Sequence, residues 1–325
     1  MPQVFADLVR AEGKTEVLES FAGRNRCFFL RAGSIRYVLK HFCGSEAHSA
    51  LRNELRASDI FSGIAPAVRA FDVRTNSVLY DYVDAWSVPY SDTDHFTNVG
   101  EHLARLHGSD QGAPPAAQHG GIGAASLPAA FSLHKPTWAW RSLRVGSPAL
   151  LEATAEVQRS AQACRALDSL AHSWEATTAC HMDLKHTNVL AAKHDKRNLT
   201  FIDWEMLGKG DPAWDVGLLW ADNILKPISA LSSGRAQVPD ISATLAQARD
   251  AQRGNALILD AYQLQHSHFS ARRAVMMSGA AMLQMAMEYA AGRPLLNDVA
   301  QTAIHLGLSI LANPEIGERT VLRRE

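Results

Sequence analysis

The sequence is poor in the features that mark secreted, membrane-bound or nucleic-acid-binding proteins. Its 325 residues include 4 cysteines, Cys27, Cys43, Cys164 and Cys180. No two of them form a CxxC pair, and none of the 14 histidines stands at zinc-finger spacing from them. That argues against a disulfide framework or a cysteine-based zinc site and fits four reduced thiols. Neither sign of charge dominates. The 32 basic and 33 acidic residues leave a net charge of -1, and the lysines and arginines are scattered. A nucleic-acid or anionic-membrane partner, which wants a concentrated basic face, is therefore not expected. Long hydrophobic runs are missing too. The most apolar stretch, residues 275–291, contains Ser278, Gln284 and Glu288. It is too short and too polar to cross a bilayer and reads as a buried helix. Residues 1–10 carry Asp7 and no apolar core of signal-peptide length, so the expected location is the cytoplasm. There is no internal repeat and no low-complexity tail.

What is present is an ordinary globular composition, 47% hydrophobic and 20% charged, in a chain long enough for one large domain or two modest ones. The pattern changes character near residue 88. Before it, strand-like runs at 16–21, 26–31 and 35–42 are separated by Ala22-Gly23-Arg24-Asn25 and Ala32-Gly33-Ser34, the signature of an antiparallel meander. A helical stretch at 45–61 follows, stopped by Gly63 and Pro66. Two more strands are expected at 67–73 and 77–83. After Pro89 the chain is mostly helical. Residues 94–107 place Phe96, Val99, Leu103 and Leu106 on one face. A loop rich in Gly, Ala, Pro and Ser spans 108–128. A long helical pattern covers 150–174, a strand-like block 177–204, and helices fill the rest.

The chemistry is concentrated after Cys180. The chain reads His181-Met182-Asp183-Leu184-Lys185-His186-Thr187-Asn188, then an apolar strand ending in Ile202-Asp203-Trp204-Glu205, then Gly210-Asp211-Pro212-Ala213-Trp214-Asp215. Phosphoryl transfer from a nucleoside triphosphate needs a carboxylate to aim an acceptor hydroxyl and oxygen ligands to hold Mg²⁺ on the phosphates. His-x-Asp-x4-Asn followed by an Asp at a strand end supplies these residue types in that order. The pattern resembles the catalytic and metal segment of kinase-fold enzymes. With its trailing GDPAxD, it is similar to the aminoglycoside/choline phosphotransferase family.

That resemblance implies an α+β, bilobal protein-kinase-like fold. A small N-lobe of five antiparallel strands and one helix would span residues 1–88, and a larger, mainly helical C-lobe residues 89–325. It implies ATP (or GTP) and Mg²⁺ as cofactors and a small-molecule hydroxyl as acceptor. Asp183 would aim the hydroxyl and take its proton, and Lys185 would neutralise charge on the transferred group. Asn188 and Asp203 would hold metal. Lys40, at the third strand, would grip the phosphates, oriented by Glu54, with Glu46 as a weaker rival. Gly23 and Asn25, or Arg26, would lie in the phosphate-covering turn, and adenine would meet the backbone near Asp81 and Val83. His181 and Asp215 would brace the catalytic loop, with Asp211 assisting, and His107 would be a packing residue. Many relatives carry glycine where this chain has Met182. Lys185 resembles a protein-kinase feature, but no APE-like segment accompanies it. A protein kinase and a nucleotide-binding pseudokinase are the alternatives. Candidates for the acceptor pocket are Trp138, Trp140, Trp214, Trp220 and Asp222. The C-terminal third has no dense acidic run, which disfavours a polycationic aminoglycoside. A sugar, a nucleoside, an amino alcohol or another antibiotic suits the residues equally.

Overall fold

The structure is a computed structural model and describes residue 5 and residues 14–86, 92–108, 121–138, 146–232 and 241–323. The chain divides into two compact units. One comprises Met1–Ser87, Gly108–Gly123 and Thr187–Gly208, the other Val88–His107, Ala124–His186 and Lys209–Glu325.

The first unit is built on β1 (Thr15–Ala22), β2 (Arg26–Ala32), β3 (Ile35–His41), helix α1 (Ala47–Ile60), β4 (Val68–Asp72) and β5 (Ser77–Asp81). The strands form one antiparallel sheet in the order β1-β2-β3-β5-β4. Strand alternation sorts its side chains. Tyr37, Leu39 and Leu79 pack with Phe5 and Leu30 on one face. Val38, Val78 and Tyr80 pack on the other against Ala47, Leu51 and Leu55 of α1. Lys40 follows the parity of Val38 and so emerges on the helix face. A second small sheet joins β6 (Ala85–Trp86), β7 (Val189–Ala192) and β8 (Leu199–Phe201). Phe201 N–H donates to the Ile64 carbonyl (2.7 Å), fixing this sheet to the loop after α1.

The second unit is helical. It contains α2 (Thr93–Gly108), α3 (Pro148–Arg159), α4 (Ala161–His172), α5 (Pro212–Ser232), α6 (Ile241–Gln263), α7 (Ala271–Ala290), α8 (Asp298–Ala312) and α9 (Pro314–Leu322). The single helix expected over 150–174 is two. Ser160 takes an extended conformation, and its hydroxyl caps α4 at Ala163 N. A capping serine inside a continuous amphipathic pattern breaks it without altering its period. Helices α5 and α7 approach so closely at Gly217 that a Cβ there would lie 2.7 Å from Met277 Cβ. Of the expected loop at 108–128, residues 109–120 lie outside the described residues, as does Trp140.

Candidate active site

In the first unit, α1 presents Glu54 one turn from Leu51, on the face that covers the sheet. Glu54 is 2% exposed, and Lys40 Nζ donates to its Oε1 at 2.7 Å. Tyr80 O–H donates to Oε2 at 2.8 Å. Lys40 also donates to Asp203. Burial alone would lower the Lys40 pKa. Glu54 and Asp203 override it and hold the group above its ordinary value, so Lys40 is an ammonium. Glu46, the rival partner, stands at the N-cap of α1 instead.

Asp203 follows β8 in the left-handed region (φ 69°, ψ 56°), where a non-glycine residue carries strain of order 1 kcal/mol. The next residue explains how the strain is held. Trp204 is fully buried, stacks on Phe61 at 5.2 Å, and donates Nε1–H to the Phe201 carbonyl. The Asn188 carbonyl accepts from Ile202 N–H at 2.9 Å, bringing Asn188 beside Asp203.

Lys40, Glu54, Tyr80, Asn188 and Asp203 line one cavity of about 480 Å³, together with Phe29, Val38, Leu190 and Ile202. The size and the mix of apolar wall and few polar groups are those of a ligand site. Asp81 and Val83 line it as well, so Lys40, Glu54, Asp81, Val83, Asn188 and Asp203 come together. The segment after β5 is ordered by Tyr82 N–H donating to the Arg36 carbonyl and by Asp84 pairing with Arg36 and Lys193. Gly23 and Asn25 sit in the β1–β2 turn. An added Cβ at Gly23 would meet only the Asn25 carbonyl, at 3.9 Å, so the turn has open space on that side. The Asn25 side chain donates to Glu205, and Arg24 pairs with the same carboxylate. Sequence reading did not single out Glu205 or Tyr80 for these roles. Neither has local neighbours that announce its long-range partners.

An ammonium, carboxylates and a side-chain amide lining a largely apolar cavity suit a nucleotide with a hard divalent cation. Asp203 and Asn188 offer the oxygen donors Mg²⁺ prefers.

In the second unit, Asp215 organises the HxD segment. It is fully buried and accepts from His181 N–H (2.6 Å) and Met182 N–H (2.8 Å). His107, also buried, joins Asp215 to the Tyr262 hydroxyl. His181 Nδ1 accepts from Asp183 N–H at 3.3 Å. Met182 has φ 69°. Its backbone takes the left-handed region, which glycine adopts without the strain a side chain brings. Asp211 receives the Arg273 guanidinium, with Nε at 2.8 Å, and accepts from Ala213 N–H.

Lys185 lies 2.9 Å from Asp183 and 3.4 Å from Glu288. Burial would push its pKa down, but Asp183 and then Glu288 raise it above the ordinary value. Asp222 accepts from His186 N–H at 2.8 Å, and its burial raises its pKa. Burial, aided by Lys226 and His95, pushes His186 down to about 3.

Two sequence expectations need correction here. Trp214 and Trp220 are 1% and 0% exposed, so they are core residues and not pocket lining. Trp214 Nε1–H donates to the Met182 carbonyl at 3.2 Å, so it supports the HxD segment. Trp138 is half-buried. Among the described residues, no helix is long and apolar enough to cross a membrane.

Comparison with known proteins bears on the family and the fold. Residues 19–251 match the model of the phosphotransferase enzyme family, APH. No curated protein sequence matches. The choline kinase LicA of Streptococcus pneumoniae is similar in structure, with TM-score 0.60 and 15% identity over 95% of this chain and 97% of that one. A choline/ethanolamine kinase family protein of Mesorhizobium loti gives 0.58 and 19%, over 98% and 95%. An aminoglycoside phosphotransferase in ternary complex with ADP and hygromycin B gives 0.56 and 17%, over 96% and 98%. At these identities the likeness is one of fold. The matched family spans most of the sequence, and the chain belongs to the phosphotransferase enzyme family, as an ATP-dependent small-molecule phosphotransferase of protein-kinase-like fold.

Proposed function

We propose that this chain moves the γ-phosphoryl group of Mg-ATP to a hydroxyl of a small, amine-bearing alcohol. The observation that carries the nucleotide half is the Lys40–Glu54–Asp203 cluster lining the 480 Å³ cavity. Glu54 and Tyr80 hold the Lys40 ammonium rigid, so it meets the α- and β-phosphates without having to be ordered first. Asn188 and Asp203 would hold one or two Mg²⁺, whose charge neutralises the phosphate oxygens as they separate. The backbone near Asp81 and Val83 is the adenine edge.

Asp183 accepts the acceptor hydroxyl as a hydrogen-bond donor and takes its proton late. Its backbone is held by His181, and His181 in turn by Asp215. Lys185 keeps positive charge beside Asp183. The choice of an amine-bearing acceptor is supported by three carboxylates around Lys185 and His186: Asp183, Glu288 and Asp222. Choline, ethanolamine and hygromycin B represent that class. The four free thiols suit a reducing, ATP-containing compartment such as the cytoplasm.

Thermal unfolding with Mg-ATP and with Mg-GTP, for wild type and Asp203→Ala, tests the nucleotide half. A ligand at 100 times its Kd stabilises by about 2.7 kcal/mol. A magnesium-dependent rise in wild type that Asp203→Ala abolishes is expected. No rise with either nucleotide refutes the proposal. ATP turnover on choline, ethanolamine, hygromycin B and uncharged sugars then tests the acceptor. Turnover confined to the sugars would refute the amine preference.

A further inference from the structure

The turn between β1 and β2 has one apolar tie at its entry, where Phe21 meets Phe29 edge-to-face at 5.6 Å. Phe21 at its entry is 53% exposed, and β1 is the edge strand of the sheet. Polar ties hold its tip, residues 24 and 25, and they converge on Glu205. The Glu205 side chain is only 6% exposed, yet both of its carboxylate oxygens are engaged by the turn. Arg24 Nη2 pairs with Oε1, and Asn25 Nδ2 donates to Oε2. Asn25 is fixed at its other end, where Oδ1 accepts from Cys43 N–H at 3.3 Å, just beyond β3. The Glu205 carbonyl accepts from Asn53 Nδ2 at 2.9 Å. Asn53 precedes Glu54 on α1, so the helix that orients Lys40 also holds Glu205.

A carboxylate taken out of water needs a compensating cation and hydrogen bonds. Here the turn supplies both. Glu205 also follows Asp203 by two residues, with the buried, stacked Trp204 between them. The position of the turn is thereby made to follow the position of Asp203.

We infer that Glu205 is a positioning residue, a latch that holds the β1–β2 turn in register with the Asp203 segment so that the turn is ready to meet nucleotide phosphates. The inference rests on the assignment of the cavity to nucleotide. A Glu in this place has a competing use as a direct Mg²⁺ ligand, and the two roles predict different couplings. A latch acts only through Asn25 and Arg24, whereas a metal ligand acts independently of them.

The test uses the full chain with Glu205→Gln, Asn25→Ala, the double variant and Lys40→Ala. Hydrogen exchange at Cys43 N–H and across residues 23–26 is measured without nucleotide. Mg-ATP affinity is measured calorimetrically over a range of free Mg²⁺. For the latch, each single variant speeds exchange at these sites. Each weakens Mg-ATP about tenfold, the size expected for losing a charge-assisted hydrogen bond. The double variant is no worse than the weaker single one, and the Mg²⁺ midpoint stays put. Additive losses overturn the latch. So does a shifted Mg²⁺ midpoint in Glu205→Gln with turn exchange unchanged. Asn25→Ala leaves the buried carboxylate in place, so it reads the latch even if Glu205→Gln fails to fold. If Lys40→Ala binds Mg-ATP as tightly as wild type, the nucleotide assignment of the cavity falls. The exchange measurements then still decide the latch.

Discussion

Replacing Lys40 with Met removes the ammonium that bridges Glu54 and Asp203, and the cost can be worked from their surroundings. Glu54, with a side chain 1% exposed, keeps the Tyr80 hydroxyl as its side-chain donor among the described residues. Asp203, 35% exposed, is screened by water and adds little. Stranding a buried charge by deleting its partner costs about 3–5 kcal/mol, and the remaining hydroxyl puts Lys40→Met near 3 kcal/mol. The pH dependence identifies the mechanism. In wild type, the Lys40 pKa is raised above 10.5, so its contribution is complete below that value and fades only as pH rises through the folded pKa. It is flat from pH 5 to 9. In Lys40→Met, the stranded Glu54 binds its proton more readily folded than unfolded. The folded state then holds more protons, and stability falls as pH rises, by up to ~1.4 kcal/mol per unit. The deficit relative to wild type is therefore larger at pH 8 than at pH 5. Adding Glu54→Gln removes the stranded charge and recovers part of the loss at pH 8. Urea denaturation at the two pH values is the assay. A pH-independent deficit, or a double variant less stable than Lys40→Met at pH 8, would refute the argument.

Asp215→Asn turns an acceptor of two backbone N–H groups into a group that presents an NH₂ to one of them. About 3 kcal/mol of stability is expected to go, with kcat falling more than nucleotide affinity. Steady-state kinetics beside calorimetric Mg-ATP binding would show the split. His186 is depressed to about 3, so the unfolded state binds its proton first as pH drops below 6.5. Stability then falls on acidification through that window, and His186→Gln should lessen the loss between pH 6 and pH 5 by up to ~1.4 kcal/mol. Asp211→Ala strands the half-buried Arg273, whose guanidinium also donates to Ser173, and should cost about 2 kcal/mol by urea denaturation while Mg-ATP affinity is unchanged.

The strands at 15–41 and 68–81 and the helix between them were legible because each depends on local signals. Period-2 alternation, Gly/Asn turns and residue spacing survive without knowledge of partners. Lys40 could be matched to Glu54 from the sequence only through resemblance. In the fold, the match follows from two parities, alternation along β3 and the 3.6-residue turn of α1, meeting on one face of the sheet. The Ser160 break and the burial of Trp214 and Trp220 were not legible. A capped break preserves helical period, and an aromatic ring reads alike whether it lines a cavity or fills a core.

By itself, then, the sequence determined the lobe order and the phosphotransferase class, since these reside in local pattern and in spacing along the chain. Only the tertiary structure decided which charges are neutralised by which. Lys40 satisfies two carboxylates, Asp215 the HxD backbone, and Glu205 the turn before β2. Residues far apart in sequence compensate one another only where burial makes an unpaired charge too costly to leave.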